Sequence, residues 1–273
     1  MKKLFALLVL IANNVFADQI TIFTTSGAGS LSDQVARYIQ PLLAKELETE
    51  VVVINAPGGN GVVGLRAFNQ SGANNILIGS FAVPFVAKTL PQKEFNPIKD
   101  FAPIVGLIHP PMHILVPANS PAKSINDLVE LSKNKQGLKG GSSHPSADIS
   151  MMLLDKTLSI KTEVINYKQL GQLYVDLTAA RIDYAFGGAT SSAAALLQSG
   201  QLRSLGRLDQ TGVPDFSWTA LFVKSSDENG KVAKAAKKII NAESMKSLPQ
   251  PFFDVNSDRL RQIVLKEYLL IPN

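Results

Sequence analysis

Three groups of residues have the types and spacing to do chemistry. In VVVINAPGGNGVVG, residues 51–64, a β-branched apolar run leads into Gly59, Gly61 and Gly64 at the G-x-G-x-x-G spacing of a dinucleotide fingerprint. That fingerprint needs an acidic residue about 20 positions further on to bind the ribose hydroxyls. No Asp or Glu lies between Leu65 and Lys93, and Glu94 comes too late. Pro57, between the run and the glycines, suits a rigid loop better than a tight strand-to-helix turn. A simpler reading remains: a strand enters a Gly-rich loop whose N–H groups can approach something closely. The segment Thr25-Ser-Gly-Ala-Gly-Ser-Leu-Ser-Asp33 is a second such loop after a first strand.

The chain has three histidines. His109 and His113 have i,i+4 spacing, but Pro110 and Pro111 forbid the helix that would aim both at one metal. No metal site is expected there. His144 lies in Gly140-Gly-Ser-Ser-His-Pro-Ser-Ala-Asp148, where Ser143, His144 and Asp148 invite a nucleophilic triad. The G-x-S-x-G elbow is absent, and sequence neighbours rarely reach triad geometry. A Gly/Ser loop entering a helix capped by Ser146 is the better reading.

Such a loop still has chemical consequences. A helix N-terminus presents unpaired N–H groups and the positive end of the helix dipole. Ser26–Ser32 has the same construction, so two such junctions facing one another would make an anion site. Each terminus contributes about 0.3–1 kcal/mol, up to ~2 when partly buried. Hydrogen bonds to a charged group add roughly 1.5–3 kcal/mol each. Those magnitudes reach micromolar affinity for a carboxylate without a buried arginine.

The elements that must position these loops alternate strand and helix from end to end, the pattern of α/β layering with parallel strands. Strands are expected at 19–25, 51–55, 76–79, 104–108, 114–117, 163–166, 184–186 and 202–206. A helix should start near Ser32, with Val35, Ile39, Leu42, Leu43 and Leu47 on one face, and Pro41 should kink or break it. Ser124-Ile-Asn-Asp127 resembles a capping box, and further helices fit 146–158 and 169–180. In KVAKAAKKII, residues 231–240, lysines alternate with an apolar stripe, which reads as a solvated helix face rather than a nucleic-acid patch. The Pro-rich passage 109–113 is the best candidate for a domain crossing.

Lys2 and Lys3 precede the apolar stretch Leu4–Ala12, and Val15-Phe16-Ala17 offers small residues for cleavage, so residues 1–17 read as a secretory signal peptide. No stretch is long and apolar enough to span a bilayer. Losing Lys2 and Lys3 lowers the formal net charge of +5 by two. The absence of cysteine excludes disulfide scaffolds and thiol chemistry.

Taken in order, the motifs resemble those of the Bug/TctC-like extracytoplasmic solute receptors, the binding proteins of tripartite tricarboxylate transporters. Ser26-Gly-Ala-Gly-Ser-Leu-Ser-Asp33 with Ala36-Arg37 resembles P-x-G-G-x-x-D…A-R, and residues 53–64 resemble V-x-N-x-x-G-A-G-G-x-x-G. Residues 95–103 are similar to Y-D-P-x-x-D-F-x-P, and Pro121-Ala-Lys-Ser124 with Asp127-Leu128 to P-A-K-(S/T)-x-x-E-L. Tyr167-Lys168, Asp176-Leu177 and Arg181-Ile-Asp183 resemble Y-K-G…D-L-x-x-G-x-(V/I)-D.

The resemblance implies a two-domain Venus-flytrap α/β architecture, each domain a mostly parallel sheet flanked by helices, with the ligand in the interdomain cleft. Domain one would comprise residues 18–113 and 219–273, and domain two residues 114–218. A small carboxylate would be held by Ser26, Gly27, Ala28, Gly29, Ser30, Ser32 and Asp33 from one side. Gly141, Ser142, Ser143, His144 and Ser146 would hold it from the other, with Tyr167 and Asp183 lining the cleft. No cofactor, metal or catalysis is implied. The expected protein is a periplasmic monomer that hands its ligand to integral-membrane permease subunits; a receptor for a sensor kinase and a hydrolase using Ser143 and His144 are the alternatives. The chain departs from the pattern at Ala28-Gly29, at Ser71-Gly-Ala-Asn-Asn75 and at Tyr167-Lys168-Gln169, all in loops.

Overall fold

A computed structural model describes residues 19–90, 95–188, 193–248 and 251–272; the leader-like residues 1–17 lie outside them. In chain order the first elements are β1 (Ile20–Thr24), α1 (Leu31–Leu47), β2 (Val51–Asn55), α2 (Val62–Gln70), β3 (Ile76–Gly79) and α3 (Ala82–Thr89). Then come α4 (Pro97–Asp100), β4 (Phe101–Ile108), β5 (Met112–Pro117), α5 (Ile125–Lys135), β6 (Leu138–Ser142) and α6 (Pro145–Leu158). β7 (Thr162–Asn166), α7 (Leu170–Thr178), β8 (Tyr184–Gly188), α8 (Ala193–Gln198) and β9 (Leu202–Arg207) follow. The chain ends with β10 (Thr219–Lys224), α9 (Lys231–Ile239), α10 (Ala242–Met245) and α11 (Ser257–Leu270).

Two compact units result. The first takes the chain up to Leu107, then Ala220–Leu248 and Asp254–Leu265; the second takes Ile108–Thr219, residues 251–253 and the chain from Lys266 on. The first unit's sheet has the order β2-β1-β3-β10-β4, with β1 parallel to β2 and β3, and β10 antiparallel to β3. Helices cover it well enough that β3 and β4 are buried along their whole length, as expected for strands covered on both faces. Phe68 of α2 anchors the packing, edge-on to Phe101 at 4.9 Å and to Phe23 at 6.1 Å.

The second sheet has the order β7-β6-β8-β5-β9, with β6 parallel to β7 and β8, and β5 antiparallel to β8 and β9. Its two faces bury separate clusters because strand side chains alternate. Ile114 and Val116 join Leu128, Met151 and Tyr184 on one face, while Leu115 joins Leu173, Leu177 and Ile182 on the other.

Three local expectations need correction, and one strand was not foreseen. Pro41 does not break α1, which runs through it to Leu47; the proline lies on the exposed side, where water can serve the carbonyl it leaves unpaired. Residues 140–142, read as part of a Gly/Ser loop, belong to the interior strand β6. A Cβ on Gly140 would meet Thr162 Cγ2 at 2.7 Å and Met151 Sδ at 2.8 Å, and one on Gly141 would meet Ile182 Cδ1 at 2.5 Å. The glycines therefore mark close packing onto the sheet, not loop freedom. Helix α6 begins at Pro145, and His144 rather than Ser146 is its N-cap. Strand β10 carried no turn or periodicity signal that the sequence reading used.

The lysine-rich helix fits its reading. Val232, Ala235 and Ala236 are buried on α9, while Lys231, Lys234, Lys237 and Lys238 are exposed and Lys238 reaches Glu46 at 2.7 Å.

Candidate functional site

In the first unit, β1, β2 and β3 end on the same edge, and each is followed by a helix. Open α/β sheets bind ligands outside the carboxyl ends of their strands. The β1 end is fixed by Asn55 at the end of β2, whose Nδ2 donates to Thr24 Oγ1 at 2.9 Å and to Ser26 O at 3.3 Å. Ser30 caps α1, its Oγ accepting from Asp33 N–H at 3.3 Å, which leaves the hydroxyl proton to donate outward.

Much of this loop's polarity is spent internally. Gly29 N–H donates to Asp33 Oδ2 at 2.8 Å, and Ser30 N–H donates to Gly27 O at 3.2 Å. Asp33 is 4% exposed and also pairs with Arg37, Nε to Oδ1 at 3.0 Å. The Gly29 N–H bond, then Arg37, hold its carboxyl below the usual aspartate range against the effect of burial. Asp33 and Gly29 therefore shape the loop, and the buried Ser32 lies behind it. Ser26, Gly27 and Ala28 form its open tip, with Leu31 and Ser32 supplying first-turn N–H groups that no helix can satisfy.

The Gly-rich segment after β2 supports this loop from beside it. Gly61 has φ +100°, and a Cβ there would meet Ala82 Cβ at 2.7 Å. A Cβ on Gly64 would meet Thr25 Cα at 2.9 Å, Ala56 O at 3.0 Å and Thr24 O at 3.1 Å. The glycine spacing thus serves close helix–strand contact, the packing half of the dinucleotide fingerprint without its ribose half. The β3 end adds Ser80, whose Oγ accepts from Ala82 N–H at 3.4 Å. The sequence reading missed it, although a strand running ILIG into Ser80 ahead of a helix was the available signal.

In the second unit β6, β7 and β8 likewise end together. Ser142 is fully buried, and its Oγ donates to His144 O at 3.1 Å, so its hydroxyl is committed to the turn. His144 Nδ1 accepts from Ala147 N–H at 3.3 Å and lies 2.8 Å from Ser146 Oγ. A nitrogen that accepts carries no proton, so the imidazole proton sits on Nε2. The ring is exposed and can donate from that edge. Ser146 is thereby a supporting residue, and Ser143 and His144 form the tip. Tyr167 N–H donates to Ser142 O at 2.7 Å, which places Tyr167 beside the turn. Its hydroxyl donates to Asp176 Oδ2 at 2.9 Å, so it supplies a wall rather than a free donor. Burial first, and then the Asp176 bond, raise its pKa above the usual phenol value and keep it neutral.

Asp183 does not join this group. Gly140 pairs with Tyr184 in the parallel β6–β8 ladder, so Asp183 lies beside Lys139 at the opposite strand end. At about 3.3 Å per residue that is roughly 10 Å from Ser142. Its carboxylate is engaged there by Lys135 Nζ at 2.5 Å and Lys139 N–H at 2.8 Å. The imagined triad does not form either, since His144 Nδ1 faces Ser146 and Ala147 rather than Asp148. His113 Nδ1 sits 2.9 Å from Ser204 Oγ and His109 Nε2 lies 3.6 Å from Asp215, and no group that could hold a metal ion occurs among the described residues.

Comparison with known proteins bears on the fold and the family. A UPF0065 protein from the TAR-I ttuE-ttuC' intergenic region of Agrobacterium vitis is 29% identical over 178 residues, covering 63% of this chain and 51% of that protein. The match thus spans about half of that relative's length. A ligand-free TctC solute binding protein from Polaromonas superposes with a TM-score of 0.75 at 14% identity, over 93% of this chain and 96% of that one. MatC from Rhodopseudomonas palustris with bound malate gives 0.71 at 18% identity, covering 93% and 98%. An R. palustris protein, Rpa4515, with adipate gives 0.73 at 17%, covering 93% and 95%. These likenesses place the fold among two-domain periplasmic binding proteins. Residues 35–249 match the family described as the tripartite tricarboxylate transporter family receptor, TctC. The chain belongs to that family of solute-binding receptors, which are not enzymes.

Proposed function

We propose that this chain is a periplasmic receptor that captures a small carboxylate and delivers it to an integral-membrane permease. One observation carries the reading: in each unit, a capped helix opens at the carboxyl end of a central parallel strand, α1 behind Ser30 and α6 behind His144. Helix termini of this kind favour anions. The tips Ser26–Ala28 with Ser30, and Ser143 with His144, would contact the ligand from the two units. Asp33, Gly29, Ser142, Ser146 and Tyr167 would hold those tips in place. Malate and adipate in related folds make dicarboxylates the first class to test. Delivery would fall to separate permease subunits; among the described residues no helix is long and apolar enough to cross a membrane.

The test is a thermal-shift panel of mono-, di- and tricarboxylates, amino acids, phosphate and nucleotides. A ligand at a hundred times its Kd adds about 2.7 kcal/mol, roughly 5–11 °C for a chain of this size. Stabilisation confined to carboxylates is expected. Stabilisation by another class alone, or by none, overturns the reading.

A further inference from the structure

The chain passes between units at Leu107/Ile108, at Thr219/Ala220 and within α11 at Leu265/Lys266. On the second-unit side these crossings are tied to one another. Asp215 Oδ2 accepts from Met112 N–H at 2.7 Å, and Oδ1 accepts from Ser217 N–H at 3.0 Å. Ser217 Oγ lies within hydrogen-bond distance of both Asp215 Oδ1 and Pro110 O. The indole N–H of Trp218 donates to Glu267 Oε1 at 2.6 Å, joining the segment that enters β10 to the last turns of α11.

Glu267 is an unusual partner for that bond. It is 4% exposed, and its Oε2 has no hydrogen-bond partner among the described residues. Of the charged groups that act on it, Asp215 repels its ionised form and Lys266 on its own helix attracts it, while His109 stands behind Asp215. A carboxylate there would be buried with one donor and a like charge nearby, an arrangement proteins avoid by keeping the proton. We infer that the Trp218–Glu267 pair is a proton-operated latch on the chain crossings. Neutral Glu267 fastens the last turns of α11 to the segment that enters β10, and loss of its proton to solvent releases that contact. Burial, followed by Asp215, pushes the Glu267 acid up to about 8, which puts the release in mildly alkaline conditions.

Trp218 is the chain's only tryptophan, so its fluorescence reads the latch without a ligand and independently of the carboxylate reading. Titrating the full chain should shift the emission with a midpoint near 8, and Glu267→Gln should abolish the shift. Asp215→Asn is the second variant, and it should move the midpoint down toward the ordinary carboxyl range. A wild type without the transition, a transition that survives in Glu267→Gln, or a midpoint unmoved by Asp215→Asn overturns the latch.

Discussion

Gly64 decides where the first loop sits. It lies in the first turn of α2, yet its missing side chain is what lets that helix touch the backbone of Thr24 and Thr25. All three nearest atoms are main-chain atoms of the β1 end or of Ala56, so none can rotate away. Gly64→Ala has no φ penalty to explain its cost and should act by overpacking alone, typically 1–3 kcal/mol. Because the displaced atoms lead into Ser26, the same substitution should weaken ligand binding more than its stability loss would suggest. Thermal unfolding, paired with titration of whichever carboxylate the panel identifies, checks both halves; a destabilised variant with unchanged affinity would uncouple the packing from the site. Asp33 makes the complementary point. An acid beside a proposed anion site looks adverse, but its charge is answered by Arg37 and its Oδ2 by Gly29 N–H. Its role is to spend the loop's surplus polarity so that the tip keeps one shape.

The elements show which local signals survive tertiary context. Pro41 in α1 removes one helical bond and crowds the preceding turn, an arrangement that costs ~3 kcal/mol in a free helix. The helix persists because Val35, Ile39 and Leu43 are completely buried on its inner face, and the apolar stripe outweighs the local defect. Pro41→Ala should therefore raise Tm. A gain of about 1–3 kcal/mol corresponds to roughly 2–12 °C, measured by circular dichroism, whereas no gain would mean that the proline's restraint on the unfolded chain balances its strain. Strands 51–55 and 76–79 and the cap at Ser124 were legible because β-branched runs and S-x-x-D are local statements. Ser124 Oγ does accept from Asp127 N–H at 3.1 Å, while Asp127 reaches back to Lys123 N–H at 2.9 Å. β6 was illegible for the opposite reason: Gly140 and Gly141 are small because Met151, Thr162, Ile182 and Leu173 press on them, a fact that exists only in the folded sheet. The same distinction runs through the site. Both helix-start loops could be read from Gly and Ser content, but the identity of the α6 cap and the distance of Asp183 from it depend on strand register, which no local pattern encodes.

For the whole molecule, the buried acids set how stability depends on pH. Glu267 has a folded-state pKa raised to about 8 from the ordinary 4.5, so its contribution is complete below the ordinary value and is lost as pH rises through 8. Asp215 behaves in the opposite sense. Burial pushes it up, but bonds from His109, Ser217 and Met112 N–H together hold it below 3.8, so its contribution is present above that value and is lost as pH falls further. Asp33 adds to this acid limb. His113, lowered by burial and then by Arg207, favours the folded state above its ordinary 6.5 and withdraws that support as pH falls, which partly offsets the gain from Glu267 in between. One raised carboxyl of this size outweighs the histidine, since each pKa unit corresponds to about 1.4 kcal/mol. The net expectation is a Tm maximum in mildly acidic buffer and a decline of several degrees toward pH 8, steeper than carboxylate pairing alone would give. Glu267→Gln keeps the shape and the Trp218 acceptor while removing the titration. Its Tm should stay level across the range in which the wild type declines, so the two curves separate progressively on the alkaline side. Parallel curves would place the alkaline loss elsewhere and leave Glu267 ionised in the folded chain. Calorimetry at fixed ionic strength makes the comparison, because surface pairs such as Lys238–Glu46 are screened by salt and the buried acid is not.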